Sequence, residues 1–143
     1  MSRASKTSLT PPDESSLRYG EKLHRYLELS DLVHKDVSWI ADPSDRDVIA
    51  KVLALPFFKD VSRAKIFHEY AFYDEEKDLH GIIDLLLVYP DHIDLLDFKA
   101  RDISDPAYLQ QLAAYAAYLA KVFPLPIHSY LLSIRAAQIK GVN

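Results

Sequence analysis

Gly81-Ile82-Ile83-Asp84-Leu85-Leu86-Leu87, followed beyond a Pro90-Asp91 break by Leu95-Leu96-Asp97-Phe98-Lys99, is the stretch on which the fold turns. Both runs are apolar enough to be buried strands, and each carries charge where an apolar residue is expected. Pro90-Asp91 is a turn signal, so the two runs close as an antiparallel hairpin. Side chains alternate faces along a strand, which puts Asp97 and Lys99, two residues apart, on the same face. Closure of the hairpin brings Asp84 alongside, and two carboxylates then converge with an ammonium. Charges set in apolar strands are costly unless compensated, and a divalent cation held by Asp84 and Asp97 compensates both. Hard oxygen ligands suit Mg²⁺ or Mn²⁺. The plainer alternative is a structural ion pair of Asp84 or Asp97 with Lys99 or Arg101, and Asp-x-Lys alone does not choose between the two.

Outward from the hairpin, a third β-like run covers about Lys65 to Tyr73. Upstream of it, Asp42-Pro43-Ser44 opens a helix that runs to about Leu55 and is stopped by Pro56. An earlier helix is expected from Leu17 to about Leu29, with Ser16 as its cap and Leu17, Leu23 and Leu27 among its apolar positions. Residues 1–16, rich in Ser, Thr and Pro and containing Pro11-Pro12, read as a flexible leader or linker, leaving 17–143 as a single domain. Downstream, Asp105-Pro106 caps a long helix to about Phe123, and an apolar strand from Pro126 to Ile134 closes the chain. The order is helix, helix, three strands, helix, strand, an α/β (α+β) arrangement.

With 143 residues, 49% of them hydrophobic, the chain has room for one ordinary core. Cysteine is absent, which excludes disulfides, thiolate-held zinc, a nucleophilic thiol and a cysteine-ligated iron–sulfur cluster. No stretch approaches the roughly 20 apolar residues of a membrane helix, and the N-terminus lacks the apolar core of a signal peptide, so a soluble cytoplasmic protein with no membrane partner is expected. The net charge of -4 is unevenly spread: residues 66–108 hold eleven acids against three bases, a local charge of -8, which leaves +4 for the remainder. A concentrated acidic centre in a mildly basic surround is what a divalent-cation site bordered by phosphate contacts requires. Arg101, Lys121 and the Lys59, Arg63, Lys65 group are candidate phosphate contacts. Glu75, Glu76 and Asp78 read as solvating loop acids.

Two further elements lie on the helices. Gln111 and Tyr115 are four apart and share one helix face, extended by Tyr108 and Tyr118, with alanines between them that keep the helix slim. The first helix carries Gly20-Glu-Lys-Leu-His24. Taken together, Gly-x-x-x-His, Gly-Ile-Ile-Asp, twelve intervening residues, Asp-Phe-Lys and Gln-x-x-x-Tyr resemble the ordered signature of the PD-(D/E)xK nucleases, specifically the RecB- and AddA-type nuclease domains.

The resemblance covers residues from about Leu17 to Ile134 and implies a restriction-endonuclease-like core with a mixed central sheet flanked by helices. It implies that His24, Asp84, Asp97 and the backbone carbonyl of Phe98 hold the metal, with Asp84, Asp97 and Lys99 catalytic. It also implies that Gln111 and Tyr115 touch the substrate backbone. The absence of cysteines departs from the iron–sulfur-bearing branches of the family and fits the AddA or RecB type. The chain lacks a Gly-rich phosphate loop, so it binds no nucleotide of its own and is no helicase motor. The resemblance implies instead a DNA exonuclease module acting in recombination and repair, with a helicase motor in cis or in trans. Two rival readings remain: a catalytically silent nuclease-fold module that only docks DNA or protein, and a structure-selective endonuclease. Glu69, in His68-Glu69-Tyr70, could add a carboxylate, although a surface glutamate on an edge strand is the plainer reading.

Overall fold

The computed structural model describes residues 11–99 and 106–142. The first helix, α1, spans Pro11–Leu29 and so starts before the expected Ser16 cap. Proline is tolerated in a helix's first turn, where the N–H has no intrahelical partner, so Pro11-Pro12 opens the helix instead of marking a linker. Leu23 and Leu27, one turn apart, are buried, whereas Leu17 is exposed and no core position. The second helix, α2 (Pro43–Leu53), starts where Asp42 predicts: its carboxylate accepts from the Ser44 N–H at 2.8 Å and the Asp45 N–H at 3.3 Å. Two 3₁₀ turns, Pro56–Phe58 and Val61–Arg63, lead into the sheet.

Among the described residues the sheet has five strands in the order of the sequence: β1 (Lys65–Asp74), β2 (Leu79–Val88), β3 (Ile93–Lys99), β4 (Ile127–Ser133) and β5 (Gln138–Gly141). All neighbours are antiparallel except β3 and β4, which run parallel and are joined through α3 (Pro106–Val122). A parallel pair needs such a crossover, and a helix supplies it. The mixed sheet flanked by helices is as expected, and β5 is an addition to the expected order. The Asp105 cap and Arg101 lie outside the described residues.

The sheet separates two cores. On one face Leu85, Leu87, Leu96, Phe98 and Leu132 pack with Leu23 and Leu27 of α1 and Ile49, Val52 and Leu53 of α2. On the other, Ile83, Leu86, Ile93, Leu95 and Leu131 meet Leu112, Tyr115 and Leu119 of α3. Strict alternation would send Ile83, Leu85 and Leu87 to one face, yet Ile83 lies on the α3 side and the two leucines opposite. The strand changes phase at Asp84. In β1 the same switch falls at Glu69: Ile66 packs on the α1 side, Tyr70 and Phe72 on the α3 side. The ladder runs His68↔Leu85 and then Tyr70↔Ile83, skipping the Glu69–Asp84 pair. Glu69 has φ 51°, a left-handed conformation that non-glycine residues adopt at a cost.

Candidate metal centre

Four elements, α1, β1, β2 and β3, deliver the acidic and basic groups. The β2–β3 ladder ends at Leu85↔Leu96, and one more step of that register would set Asp84 against Asp97. Instead of continuing the ladder, the Phe98 N–H donates to Asp84 Oδ2 at 2.7 Å. On the other side of the same carboxylate, His24 Nε2 of α1 is 3.0 Å from Asp84 Oδ1. The His24 ring is held by an edge contact with Phe98, centroids 5.5 Å apart. Glu69 turns inward at the phase break, so that His24, Glu69 and Asp84 each offer one ligand atom, all within 4.8 Å of one another. Asp97 is joined to the trio through a hydrogen bond shared with Asp84. Its Oδ2 is 3.0 Å from Lys99 Nζ, and the ammonium stands 4.1 Å above the centre of the Tyr108 ring.

His24, Asp84, Asp97 and Lys99 come together. Phe98 joins them through its N–H. Glu69, read as a surface side chain, is half-buried and part of the cluster. A register count from the β1–β2 turn was the signal that could have found it, because Asp74↔Leu79 extended backwards sets residue 69 against 84. Glu28, one helical turn after His24, lines the same cleft and was not singled out.

That cleft, of about 890 Å³, runs along α1 past Gly20, Arg25 and Glu28 to Lys99 and Tyr108. Gln111 and Tyr115 line a different groove, with His80, Gly81 and Ile82. Gln111 Nε2 donates to the Tyr115 hydroxyl at 3.1 Å, and Tyr115 is buried edge-on against Phe72. Tyr118 stacks on Phe72 as a core residue, centroids 4.2 Å apart.

The electrostatics follow from burial and crowding. Asp84 and Asp97 are 9% and 7% exposed, too buried for two independent carboxylates. Burial, the hydrogen bond with Asp84 and the charge of Asp84 push the Asp97 carboxyl up to about 7, and Lys99 offsets this only in part. Burial pushes Asp84 up as well, but hydrogen bonds from His24, Asp97 and the Phe98 N–H prevail and hold it below the ordinary carboxylate value. The hydrogen bond to Asp84 raises His24 against its burial. Burial and the Asp84 charge raise Glu69.

One oxygen of the cluster, Glu69 Oε2, is buried without a hydrogen-bond partner, while Asp97 Oδ2 meets the Lys99 ammonium at 3.0 Å. Buried polar atoms are rarely left so. Carboxylate oxygens in surplus over donors, beside an imidazole, fit a divalent cation.

No family model matches the chain. A stretch of 58 residues is 40% identical to one subunit of the ATP-dependent helicase/nuclease of Streptococcus pyogenes serotype M5 (strain Manfredo), and equally to that of serotype M49 (strain NZ131). Part of this chain is similar to a helicase/nuclease subunit. The match covers 37% of this chain and 5% of the length of those relatives. Among the described residues, no helix is long and apolar enough to cross a membrane.

Proposed function

We propose that this chain is a metal-dependent DNA nuclease of the exonuclease type, serving recombination and repair as the nuclease module of a helicase–nuclease. The observation that carries the reading is the convergence of Glu69, Asp84, Asp97, His24 and Lys99 from four elements at a break in two apolar strands. A fold gains nothing in stability from clustering buried acids unless a cation meets them. The partial likeness to a helicase/nuclease subunit supports the choice of a nuclease activity and of a helicase motor, in cis or in trans, as partner.

His24, Glu69, Asp84 and Asp97 would hold Mg²⁺ or Mn²⁺, with the Phe98 carbonyl as a further oxygen. When bound, such an ion supplies Lewis acidity toward the phosphate and lowers the pKa of water. In the overall reaction a water oxygen bonds to phosphorus, the bridging P–O bond breaks, and the leaving oxygen takes up a proton. Asp84 anchors the site, because His24 and the Phe98 N–H fix both its oxygens. Lys99 is held between Asp97 and the Tyr108 ring at the cleft, where its charge can meet a non-bridging phosphate oxygen. Arg25, exposed on the same cleft, is placed to meet a neighbouring phosphate. Gln111 and Tyr115, in their separate groove, are assigned to the substrate backbone further along the strand, and Arg101, outside the described residues, is assigned to a phosphate contact.

Digestion of single- and double-stranded DNA with Mg²⁺ by the wild type and Lys99→Ala tests this. The variant is expected to lose about 10² or more in rate, the scale of removing one electrostatic stabiliser. Equal activities, or activity that survives EDTA, would discard the proposal.

A further inference from the structure

At the far end of the same sheet, on the α1–α2 face, a second cluster gathers outside the candidate metal centre. His92 stands two residues before Asp94, and Asp94 is the ladder partner of His128 on the parallel neighbour β4. Asp94 is only 6% exposed. The His92 and His128 rings lie with centroids 5.7 Å apart. We propose that His92, Asp94 and His128 form a binding site for a divalent transition-metal ion of the zinc class, distinct from the acidic centre and built to clamp the β2–β3 turn to β4.

The His92 ring is already set as a metal-bound imidazole is. Its Nδ1 is 2.8 Å from Asp91 Oδ1, and its face stacks on Tyr89 at 4.5 Å with 9° between the planes. A carboxylate on one ring nitrogen fixes the tautomer and aims the other nitrogen at the ion. That other nitrogen, Nε2, is 3.6 Å from Asp94 Oδ1, too far for a hydrogen bond. Two ligand atoms on one tetrahedral ion, each bonded at about 2.1 Å, stand about 3.4 Å apart. The pair is therefore spaced for an ion between them.

With its ring as observed, His128 is not within ligand distance of the other two; it would complete the set by turning about its side-chain torsions, since two imidazoles on one such ion bring their centroids to about 5 Å. Its backbone need not move, since the ladder already sets it across from Asp94. Burial raises the Asp94 carboxyl, and the charges that oppose the rise are chiefly those of His92 and His128. Two imidazoles with one carboxylate suit zinc, nickel or cobalt, whereas Mg²⁺ prefers an all-oxygen shell.

The test uses the full chain carrying Glu69→Gln and Asp84→Asn, which removes the acidic centre and makes the result independent of any nuclease activity. Calorimetric titration with Zn²⁺ is expected to find one ion bound per chain, with a rise in melting temperature. Adding His92→Ala or His128→Ala should weaken that binding by about 10-fold or more. Cobalt in place of zinc should give the strong visible absorption of a four-coordinate site, lost in the same variants. Absence of Zn²⁺ binding in this background, or binding unchanged by both histidine substitutions, overturns the proposal. If the double variant does not fold, the comparison is made in the otherwise wild-type chain, where His128→Ala must remove one ion from the total; an unchanged total overturns the site.

Discussion

The Phe98 N–H donates to Asp84 Oδ2 at 2.7 Å, so a carboxylate from one strand takes the place that a backbone carbonyl fills elsewhere in the β2–β3 ladder. This substitution lets the two strands diverge just where Asp84 and Asp97 meet. It also ties the second acidic strand to the first through the very group proposed to bind the ion. Site geometry and sheet geometry are thereby one feature.

Glu69 tests how the site strains the fold. Its φ of 51° is a conformation glycine adopts freely, so Glu69→Gly should leave stability unchanged or raise it by about 1 kcal/mol. The same variant should lower Mn²⁺ affinity and DNA cleavage. Urea unfolding together with metal titration would show the two effects moving in opposite directions. A loss of stability on Glu69→Gly would mean that the carboxylate is structural.

Asp97 gives a pH dependence. Its carboxyl rises from an ordinary 3.8 to about 7 in the fold, so the folded chain binds the proton more tightly than the unfolded one. The resulting stability is full below pH 3.8 and is lost as pH rises through about 7. Thermal melts of the metal-free chain in EDTA should therefore fall between about pH 5 and about pH 8. Asp97→Asn should flatten that fall, and an equally steep fall in the variant would contradict the assignment.

Gly81 is required by packing. A Cβ there would lie 2.4 Å from the Phe72 ring and 2.8 Å from that of Tyr115, both buried. Gly81→Ala should cost about 1–3 kcal/mol, the usual penalty of overpacking, measured by urea denaturation. A neutral outcome would show that the Phe72–Tyr115 contact gives way easily.

Lys121 bonds both Asp74 and Glu76, tying the end of α3 to the β1–β2 hairpin away from the cleft. Its hydrogen bond holds the Asp74 carboxyl below the ordinary value, so the stability it adds is present above pH 3.8 and is lost as pH falls through the folded value. Lys121→Ala should lower the melting temperature at neutral pH and narrow the gap to the melting temperature in acid. DNA cleavage should be unchanged, since Lys121 does not line the cleft.

Much of this was legible in the sequence because local rules agreed there. Asp42-Pro43 marked the start of α2, Pro90-Asp91 closed the hairpin, and two charges inside apolar runs pointed to the site. Glu69 escaped because alternation was assumed to continue along β1, whereas the strand changes phase at that residue. The fifth strand escaped because Gln138–Gly141 is short and mostly exposed, with no apolar alternation to mark it. The start of α1 was misplaced because Pro11-Pro12 suits a linker and a first helical turn equally well. The grooves of Gln111 and of Lys99 could not be told apart from spacing along one helix, since that depends on where the β1–β2 hairpin lies against α3.

The most direct test of the acidic centre is a calorimetric Mn²⁺ titration of the His128→Ala chain, which sets the second cluster aside, with and without Asp84→Asn. The prediction is one ion bound by the former and none by the latter, with both folded by circular dichroism. Mn²⁺ bound equally by the two chains would contradict a cation held at Asp84, and the nuclease proposal would fall with it.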